Sequence, residues 1–451
     1  MEIVPFVTDS LGDSSYLLVS GTDAAVIDPQ RDIRPYLAAA GARGVTISRV
    51  FETHVHNDYI SGGRELAARG ATIVAPAKAK LNFPHQPIED GQELCVGAVR
   101  LRALATPGHT YEHTSYLLLG EDGGVQGAFT GGCVIVASAG RSDLLGPDHT
   151  EELTRLQWES GRRIASLLTA ESEVLPTHGA GSFCSSAGAT SDRRSSLAQE
   201  LATNPLFTSG AFEIFRRIHL GTPTPTPAYY QYMAPINRAG PKVTGTPPVP
   251  ERLAPARLES LIAKGVPALD LRARSEYVAA HAPGSLAVEE CTSLLGYVSW
   301  LFPFNAELAL VTYDDVQAQR VTVDLYRIGY ERVQGFLPFH VWLEQGHEAD
   351  GFPAADLEAA ADILRSGSQP VLDVRFDSEF AADPVPGARQ LSFDRIQEWK
   401  DSVGKGPVLT ICASGQRSTI AATYLASQGV RAMPLLRGGA PELRSLLPHQ
   451  R

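Results

Sequence analysis

The sequence predicts a multidomain α/β protein, and three features of its 451 residues lead to this class. Residues 1 to about 220 alternate short β-rich runs with helical stretches. Two proline-rich stretches, at 221–230 and 240–250, then separate this region from the rest, since proline stiffens the chain and removes backbone donors. An internal repeat follows, which indicates two copies of one module.

Six short runs of the first region have the composition of strands: 15–19, 24–27, 49–53, 72–75, 100–105 and 115–119. Residues 151–168 have the apolar spacing of an amphipathic helix. This pattern predicts one α/β domain over residues 1–245, which includes a proline-rich extension.

The repeat is carried by LDLRARSEYVAAHAPGS at 269–285 and LDVRFDSEFAADPVPGA at 372–388. Four spaced residues recur 103 positions later: Asp270, Arg272, Glu276 and Gly284 as Asp373, Arg375, Glu379 and Gly387. Each copy alternates strand and helix, which predicts a small parallel α/β sheet in each of two domains, at 252–350 and 355–451.

Charge and cysteine usage narrow the possible partners and compartment. The formal net charge of −11 argues against unaided binding to nucleic acid or to an anionic membrane. No apolar run approaches the roughly 20 residues that span a bilayer, and the N-terminus lacks the pattern of a signal peptide. The five cysteines are far apart and form no CxxC pair, so a reducing cytoplasm is expected.

Histidines cluster in loops that follow predicted strands. The segment THVHNDY places His54, His56 and Asp58 on one short loop, and His109 and His178 lie in TPGHTYEHTSY and LPTHGAGSFC. A sheet would bring these loops to one edge, where imidazoles can approach a cation to about 2.0–2.1 Å. The pattern therefore predicts a metal site.

THVHNDY, TPGHT, FTGG and PTHG, in this order and spacing, resemble the metallo-β-lactamase superfamily. The branch that they resemble most is the persulfide dioxygenases, relatives of glyoxalase II. The resemblance covers roughly the first 220 residues and implies an αββα sandwich with the metal at one sheet edge. It also implies a mononuclear Fe(II) held by two histidines, His54 and His109, and one aspartate.

Two positions depart from the family pattern. Tyr59 replaces the last histidine of the HxHxDH motif, which disfavours a binuclear zinc hydrolase. Gly132 replaces the aspartate that should be the third iron ligand. We expect His56 to complete a three-histidine set, which would leave open positions on Fe(II).

Alternative third ligands stay open, as does the metal itself. Asp58 and His178 form a second tier of candidates, and Cys133 or Asp143 are further guesses from their proximity in the sequence. Zinc in place of iron, or loss of the metal, is compatible with Gly132.

The second repeat ends a strand, PVLTI, with the loop CASGQRS. Cys412 would face backbone N–H groups and a helix N-terminus, which stabilise a thiolate. Gly415 permits tight curvature, and Arg417 contributes charge at the rim. The loop resembles that of rhodanese-type sulfurtransferases, and its six residues from Cys412 to Arg417 are one fewer than a phosphatase of the C-x5-R type needs.

The first repeat has LALVTYDDVQAQRVTV in the corresponding segment, without a cysteine. Its own thiol, Cys291, lies well before this segment, and Asp314 and Asp315 would repel an anion. We expect a non-catalytic rhodanese copy. The whole chain then resembles the persulfide dioxygenase–sulfurtransferase fusions of bacteria.

Four further residues are candidates for substrate binding. Cys184 would receive sulfur near the metal pocket or simply fill space, and Arg141 with Asp143 would bind a substrate carboxylate or form an ion pair. Tyr59 would offer a hydroxyl at the altered metal position or pack there.

The resemblance implies oxidation of a small thiol persulfide, of glutathione, coenzyme A or a similar carrier, to sulfite, followed by transfer of sulfane sulfur to give thiosulfate. A sulfurtransferase with a metal-free N-terminal domain, a zinc thioester hydrolase like glyoxalase II and a persulfide-sensing scaffold are the alternatives. A homo-oligomer is compatible with the sequence.

Overall fold

A computed structural model describes residues 1–120, 122–186, 190–221 and 224–447. The chain divides into two compact units, Met1–Pro247 and Pro248–Arg451. Within the described ranges, no helix is both long and apolar enough to cross a bilayer. Two residues of the proline-rich stretch at 221–230 and the last four residues of the chain lie outside these ranges.

Two six-stranded sheets form the centre of the first unit. The first sheet has its strands in chain order: β1 (Glu2–Thr8), β2 (Asp13–Ser20), β3 (Asp23–Ile27), β4 (Thr46–Phe51), β5 (Thr72–Pro76) and β6 (Gln86–Ile88). The second sheet contains β7 (Glu93–Val96), β8 (Val99–Ala105), β9 (Thr114–Leu119), β10 (Val125–Gly131), β11 (Glu173–Pro176) and β12 (Ser195–Ser196). Its strands also lie in chain order, from β7 at one edge to β12 at the other.

Helices cover the outer face of each sheet. They are α1 (Arg34–Arg43), α2 (Gly63–Ala67), α3 (Pro147–Ala165), α4 (Leu197–Thr203), α5 (Pro205–Thr208), α6 (Phe212–His219) and α7 (Tyr230–Ala239), with a 3-10 turn at Ala77–Ala79. The layers therefore follow each other as helix, sheet, sheet, helix.

Strand periodicity explains this layering. Along β2, Tyr16 and Leu18 point into the core between the sheets, together with Phe129 of the second sheet. The alternate residues, Leu17 and Val19, pack under α1 and α2. A strand that is apolar on both faces must be covered on both sides, and this produces a four-layer sandwich.

Two four-stranded, wholly parallel sheets form the second unit. The first has the order β14-β13-β15-β16, with β13 (Ala268–Asp270), β14 (Leu286–Ala287), β15 (Leu308–Thr312) and β16 (Val333–Pro338). The second repeats that order as β18-β17-β19-β20, with β17 (Val371–Asp373), β18 (Arg389–Gln390), β19 (Val408–Ile411) and β20 (Ala432–Pro434). The same topology thus occurs twice.

The helices of this unit also fall into two sets. Those of the first repeat are α8 (Pro255–Ala263), α9 (Arg274–Ala279), α10 (Leu294–Leu301), α11 (Asp315–Arg327) and α12 (Phe339–Glu344). Those of the second are α13 (Leu357–Ser366), α14 (Asp377–Ala382), α15 (Gln416–Ser427) and α16 (Ala440–Ser445), with a 3-10 segment at Phe393–Asp401.

The residues that recur in the sequence hold equivalent turns. Arg272 forms a bidentate pair with Asp270 and donates to a carbonyl oxygen eight residues further on. Arg375 and Asp373 repeat the same arrangement. Both pairs are buried. The shared motif therefore has a structural role in each copy rather than a chemical one.

Candidate metal centre and cysteine loop

Polar side chains of the first unit gather where strands end. Asp28 follows β3, the loop 53–59 follows β4, Gly132 follows β10 and His178 follows β11. The strands β3 and β4 are parallel neighbours, as are β10 and β11, so their carboxyl ends lie at one edge of each sheet. This topology brings together loops that are distant in the sequence.

Three buried histidines, His54, His109 and His178, turn ring nitrogens toward one point. One nitrogen from each ring lies within 4.8 Å of the other two. The Nε2 atoms of His54 and His178 are 3.4 Å apart. Nε2 of His109 is buried and has no hydrogen-bond partner among the described residues. Convergent imidazoles of this kind are the chemistry of a transition-metal site.

Hydrogen bonds at Nδ1 fix the tautomers of His54 and His109. Nδ1 of His109 is 2.7 Å from the carbonyl oxygen of Arg141, which can only accept, so Nδ1 carries the proton. Thr53 donates its hydroxyl proton to Asp28 at 2.8 Å and therefore accepts from Nδ1 of His54, also at 2.8 Å. Burial lowers the pKa of both histidines well below its usual value. Both Nε2 lone pairs thus face the centre, as a metal requires.

His178 is oriented by two carboxylates. Its Nδ1 donates to Asp13 Oδ1 at 2.9 Å and lies 3.2 Å from Asp58 Oδ2. Burial alone would lower the pKa of His178, but the charges of Asp58 and Asp13 raise it to about 10. Such carboxylate–histidine pairs orient the ring and strengthen Nε2 as a ligand.

His56 lies beside this set but points elsewhere. Its Nε2 is 3.2 Å from Asp28 Oδ1, 3.5 Å from Glu52 Oε2 and 3.1 Å from the hydroxyl of Tyr59. Burial opposes a charge on His56, yet Asp28 and Glu52 raise its pKa well above the usual value. The structure therefore differs from the expectation that His56 completes the three-histidine set, because His178 takes that place.

Tyr59 and Asp58 occupy the space next to His56. The Tyr59 ring stacks on His56 with 4.4 Å between ring centroids, and its hydroxyl donates to the carbonyl oxygen of Asp28 at 3.3 Å. Asp58 forms a second group of potential ligands with His56 and His178. This group shares His178 with the three-histidine set, so it adds a carboxylate next to the centre.

Gly132 stands against the ring of His109. A Cβ atom on Gly132 would lie 2.6 Å from Cδ2 of His109, which is closer than two carbon atoms can pack. Glycine at this position therefore makes room for His109. Cys133 packs in the apolar core under the outer helices, where burial raises the pKa of its thiol to about 12, and Asp143 is paired with Arg141.

Two of the four predicted substrate-binding residues, Arg141 and Asp143, lie at one cavity. Arg141 donates to both carboxylate oxygens of Asp143, at 2.8 and 2.7 Å, and to two carbonyl oxygens. Both residues line a cavity of about 250 Å³. The guanidinium is engaged in internal bonds, so this pair braces the cavity wall.

Cys184 is buried nearby, and its thiol donates to the hydroxyl of Tyr230 at 3.6 Å. Burial, followed by the charges of Asp58 and Asp13, raises the pKa of this thiol well above its usual value. Cys184 is therefore held as a neutral thiol at the edge of the histidine centre.

The sequence interpretation missed several residues of the centre. Asp13 and Asp28 orient ligand histidines, and His113 accepts the backbone N–H of Gly132 at 2.9 Å. Burial lowers the pKa of His113 to about 3. Asp28 directly follows a strand and His113 shares a motif with His109, so both residues could have been identified from the sequence.

Asn237 had no local signal, because it lies 181 residues from the loop that it holds. Its side-chain amide donates to the carbonyl oxygens of His56 and Tyr59 at 2.9 and 2.8 Å. Its carbonyl oxygen accepts from the backbone of Ser61 at 2.9 Å. Helix α7 thereby fixes the histidine loop through one buried amide.

Cys412 follows β19 and lies in the loop before α15. The backbone N–H of Gly415 donates to its Sγ atom at 3.2 Å, and the thiol lies 3.6 Å from the hydroxyl of Ser418. Gly415 has φ +90°, which a residue with a side chain rarely adopts, so the predicted tight curvature depends on glycine. Cys412 is only 1% exposed, at the base of this polar loop.

The guanidinium of Arg417 is paired with a carboxylate and is not free to bind an anion in the loop. It forms two bonds with Glu379, at 2.6 and 2.7 Å, and its guanidinium lies 4.7 Å from the ring centre of Phe376. Burial would lower the pKa of Arg417, but Glu379 raises it above its usual value. Arg417 thus braces the loop. In the first repeat, the equivalent Glu276 bonds to Tyr313 instead.

Comparison with known proteins matches both units to families. Residues 11–191 match the metallo-beta-lactamase superfamily, and residues 356–445 match the rhodanese-like domain. The chain carries a metallo-β-lactamase fold followed by a rhodanese domain. Both matches are to enzyme families, and the predicted fold class is confirmed.

Curated relatives match the metallo-β-lactamase region. The hydroxyacylglutathione hydrolase of Methylobacillus flagellatus is 36% identical over 118 residues, 26% of this chain and 46% of the relative. A hydroxyacylglutathione hydrolase-like protein of Mus musculus is 30% identical over 182 residues, 40% of this chain and 60% of the relative. The chain thus spans about half the length of the curated relatives it matches.

A solved structure matches over a longer span. The metallo-β-lactamase of Staphylococcus aureus has 25% sequence identity and a TM-score of 0.66, and the match covers 75% of this chain and 98% of that one. The metallo-β-lactamase fold implies a divalent metal ion, and the buried histidine and aspartate groups are candidate ligands. The orphaned Nε2 of His109 and the two Nε2 atoms beside it fit such an ion.

Proposed function

We propose that the first unit oxidises a small thiol persulfide to sulfite and that Cys412 transfers sulfane sulfur. The observation that carries this proposal is the convergence of ring nitrogens from His54, His109 and His178, in a chain that also holds a rhodanese cysteine loop. Iron(II) bound by these histidines would supply open positions for a persulfide sulfur and for O2.

The first reaction balances as RSSH + O2 + H2O → RSH + SO3²⁻ + 2 H⁺. The chain would contribute fixed ligand geometry, since each Nε2 is aimed by a bond at the opposite ring nitrogen. Burial of all three rings keeps bulk water from the centre. The cavity at Arg141 and Asp143 is our candidate for the carrier part of the substrate.

The second reaction takes place in two steps at Cys412. Its thiolate attacks the outer sulfur of a persulfide, which forms a cysteine persulfide and releases RS⁻. Sulfite then attacks that outer sulfur, the S–S bond breaks, and thiosulfate leaves with the thiol regenerated. The Gly415 N–H at 3.2 Å from Sγ is placed to stabilise sulfur anions in both steps.

The first repeat would be a rhodanese copy without catalytic function. Its sheet order matches that of the second repeat, but α11 begins directly after the cap residue Asp314, whose carboxylate accepts from Gln317 N at 2.8 Å. A fixed carboxylate fills the helix N-terminus that would otherwise face a sulfur anion.

The proposed partner is a persulfide of a small thiol such as glutathione or coenzyme A. Because the net charge is −11, we propose that neither nucleic acid nor an anionic membrane takes part. We also propose a cytoplasmic location, because the five cysteines are dispersed along the chain, and a homo-oligomeric state.

A zinc thioester hydrolase is the second candidate, and the names of the curated relatives favour it. A binuclear hydrolase needs a second set of neutral ligands. Here Tyr59 replaces one such histidine, and His56 is bound by Asp28 and Glu52. These contacts favour a mononuclear centre.

Oxygen uptake separates the candidates. The purified chain, loaded with iron(II) under argon, is mixed with glutathione persulfide and O2, and with S-lactoylglutathione in parallel. We expect oxygen uptake and sulfite with the first substrate and no thiol release from the second. Thiol release from S-lactoylglutathione without oxygen uptake would favour the hydrolase, and sulfur transfer without metal or uptake would favour a metal-free N-terminal domain.

A further inference from the structure

One peptide unit links the first repeat to the sulfur atom of Cys412. The carbonyl oxygen of Ser414 accepts from Nη2 of Arg274 at 3.1 Å. The N–H of the same peptide unit, on Gly415, donates to Sγ of Cys412 at 3.2 Å. Because C=O and N–H of a trans peptide point in opposite directions, the bond on the oxygen fixes the direction of the N–H.

Arg274 holds more than this one carbonyl group. It is the first residue of α9 in the first repeat, and its Nε also donates to the carbonyl oxygen of Leu436 in the second repeat, at 3.2 Å. Its remaining nitrogen is paired with Glu289 of its own repeat. Arg274 is therefore fixed at one side and donates to two carbonyl groups at the other.

The loop has little freedom to adapt if that contact is lost. A Cβ atom on Gly415 would lie 2.2 Å from the oxygen of Leu436, so the loop and residue 436 already pack as closely as glycine allows. Arg274 bonds to both of these segments. Its guanidinium thus joins two parts of the second repeat that are in close contact.

Arg274 is specific to the first repeat. The position 103 residues later is Asp377, which pairs with Arg395 on the surface. Other residues of the first repeat reach the same region: the Tyr297 hydroxyl lies 3.5 Å from Gln416, and Trp300 packs on Phe376 with 5.4 Å between ring centroids. The first repeat, whose corresponding loop has no cysteine, therefore forms one wall of the Cys412 loop.

We infer that Arg274 is a positioning residue for sulfur transfer, which orients the Ser414–Gly415 peptide so that its N–H stabilises the sulfur anion on Cys412. The inference rests on the proposed function for the reaction at Cys412. It gives the first repeat a part in that reaction although it carries no catalytic cysteine. A charge-assisted bond on the carbonyl oxygen also polarises the peptide and strengthens its N–H as a donor.

The test is the rate at which iodoacetamide alkylates Cys412, followed by peptide mass spectrometry across a range of pH. In Arg274→Ala we expect the rate at pH 7 to fall about tenfold and the profile to move to higher pH, because a bond to a charged group is lost. Arg274→Lys keeps the charge but not the forked geometry, and we expect it to recover about a third of the rate. Arg252→Ala is the matched control, since Arg252 pairs with Asp315 inside the first repeat, and it should stay within about twofold of wild type.

An Arg274→Ala profile equal to that of wild type would overturn the inference. Full recovery by Arg274→Lys would also overturn it, since charge alone would then explain the effect. If the alanine variant does not fold, as judged by circular dichroism, the lysine variant decides. Alkylation of Cys412 does not depend on turnover. A failure of the proposed function, which is measured by turnover, can therefore be distinguished from a failure of the role inferred for Arg274.

Discussion

The histidine centre and the Cys412 loop are assembled in opposite ways. Three separate loops supply the ligand histidines His54, His109 and His178, and the bond between Asp13 and His178 spans 165 residues. The Cys412 loop is one continuous segment between a strand and a helix, and its glycine, serine and arginine all lie within six residues of the cysteine. A continuous loop can be recognised from its local sequence. A centre that is assembled from distant segments can be recognised only once the sheet topology is known.

The two sites also differ in what stabilises their reactive atoms. The ring nitrogens of the histidine centre are oriented by a hydroxyl, a carbonyl group and a carboxylate that bond to the opposite ring nitrogens. The sulfur of Cys412 is held by one backbone N–H, which Arg274 orients from another repeat. Single substitutions at one site should therefore leave the activity of the other site unchanged.

Cys412→Ser should have the largest effect. A serine hydroxyl cannot carry sulfane sulfur, so we expect thiosulfate formation to fall about a thousandfold or more, while oxygen uptake on glutathione persulfide stays near wild type. Both rates are measured on the same preparation. Cys95→Ser, at an exposed thiol, is the control and should change neither rate. Loss of oxygen uptake in Cys412→Ser would show that the two sites are not independent.

Gly132→Asp should weaken the centre rather than restore the family ligand. The new Cβ atom would meet the ring of His109 at 2.6 Å and displace it. We expect metal affinity, measured by competition with a chelator, to fall about a hundredfold, as when the orientation of a ligand is lost. Gly41→Asp is the control, because a Cβ atom there meets nothing within 4 Å. Tighter metal binding in Gly132→Asp would mean that the aspartate ligates after all.

Asn237→Ala should have a smaller effect on the same centre. It removes the amide that holds the carbonyl groups of His56 and Tyr59, so the histidine loop loses its support. We expect about tenfold weaker metal binding and a loss of about 1–3 kcal/mol in the free energy of unfolding. Gln231→Ala, on the exposed side of the same helix, should leave both quantities unchanged. Unchanged metal affinity in Asn237→Ala would limit the role of this amide to folding.

Local patterns were sufficient for a large part of the structure. Strand and helix alternation gave the α/β class, the 103-residue offset gave two copies of one sheet, and CASGQRS gave a cysteine at a strand-to-helix turn. The resemblance of THVHNDY and TPGHT to the metallo-β-lactamase superfamily pointed to His54 and His109. These signals all lie within a few residues of the group that they identify.

Other parts of the centre depend on packing that no short segment encodes. His178 and His56 both sit in strand-end loops, and only the fold shows that Asp28 and Glu52 draw His56 away from the centre. The family pattern predicts only a missing ligand at Gly132, and the structure shows that this glycine leaves room for the ring of His109. Such outcomes are set by side chains from distant strands.

Metal content tests the central claim most directly, because the claim is that His54, His109 and His178 together bind a cation. Intact chain, His109→Ala and Cys412→Ser are each loaded with iron(II), desalted and analysed for metal by elemental analysis. We predict about one metal ion per chain for the intact protein and for Cys412→Ser, and less than about a tenth of that for His109→Ala. Full metal content in a folded His109→Ala protein would contradict the account.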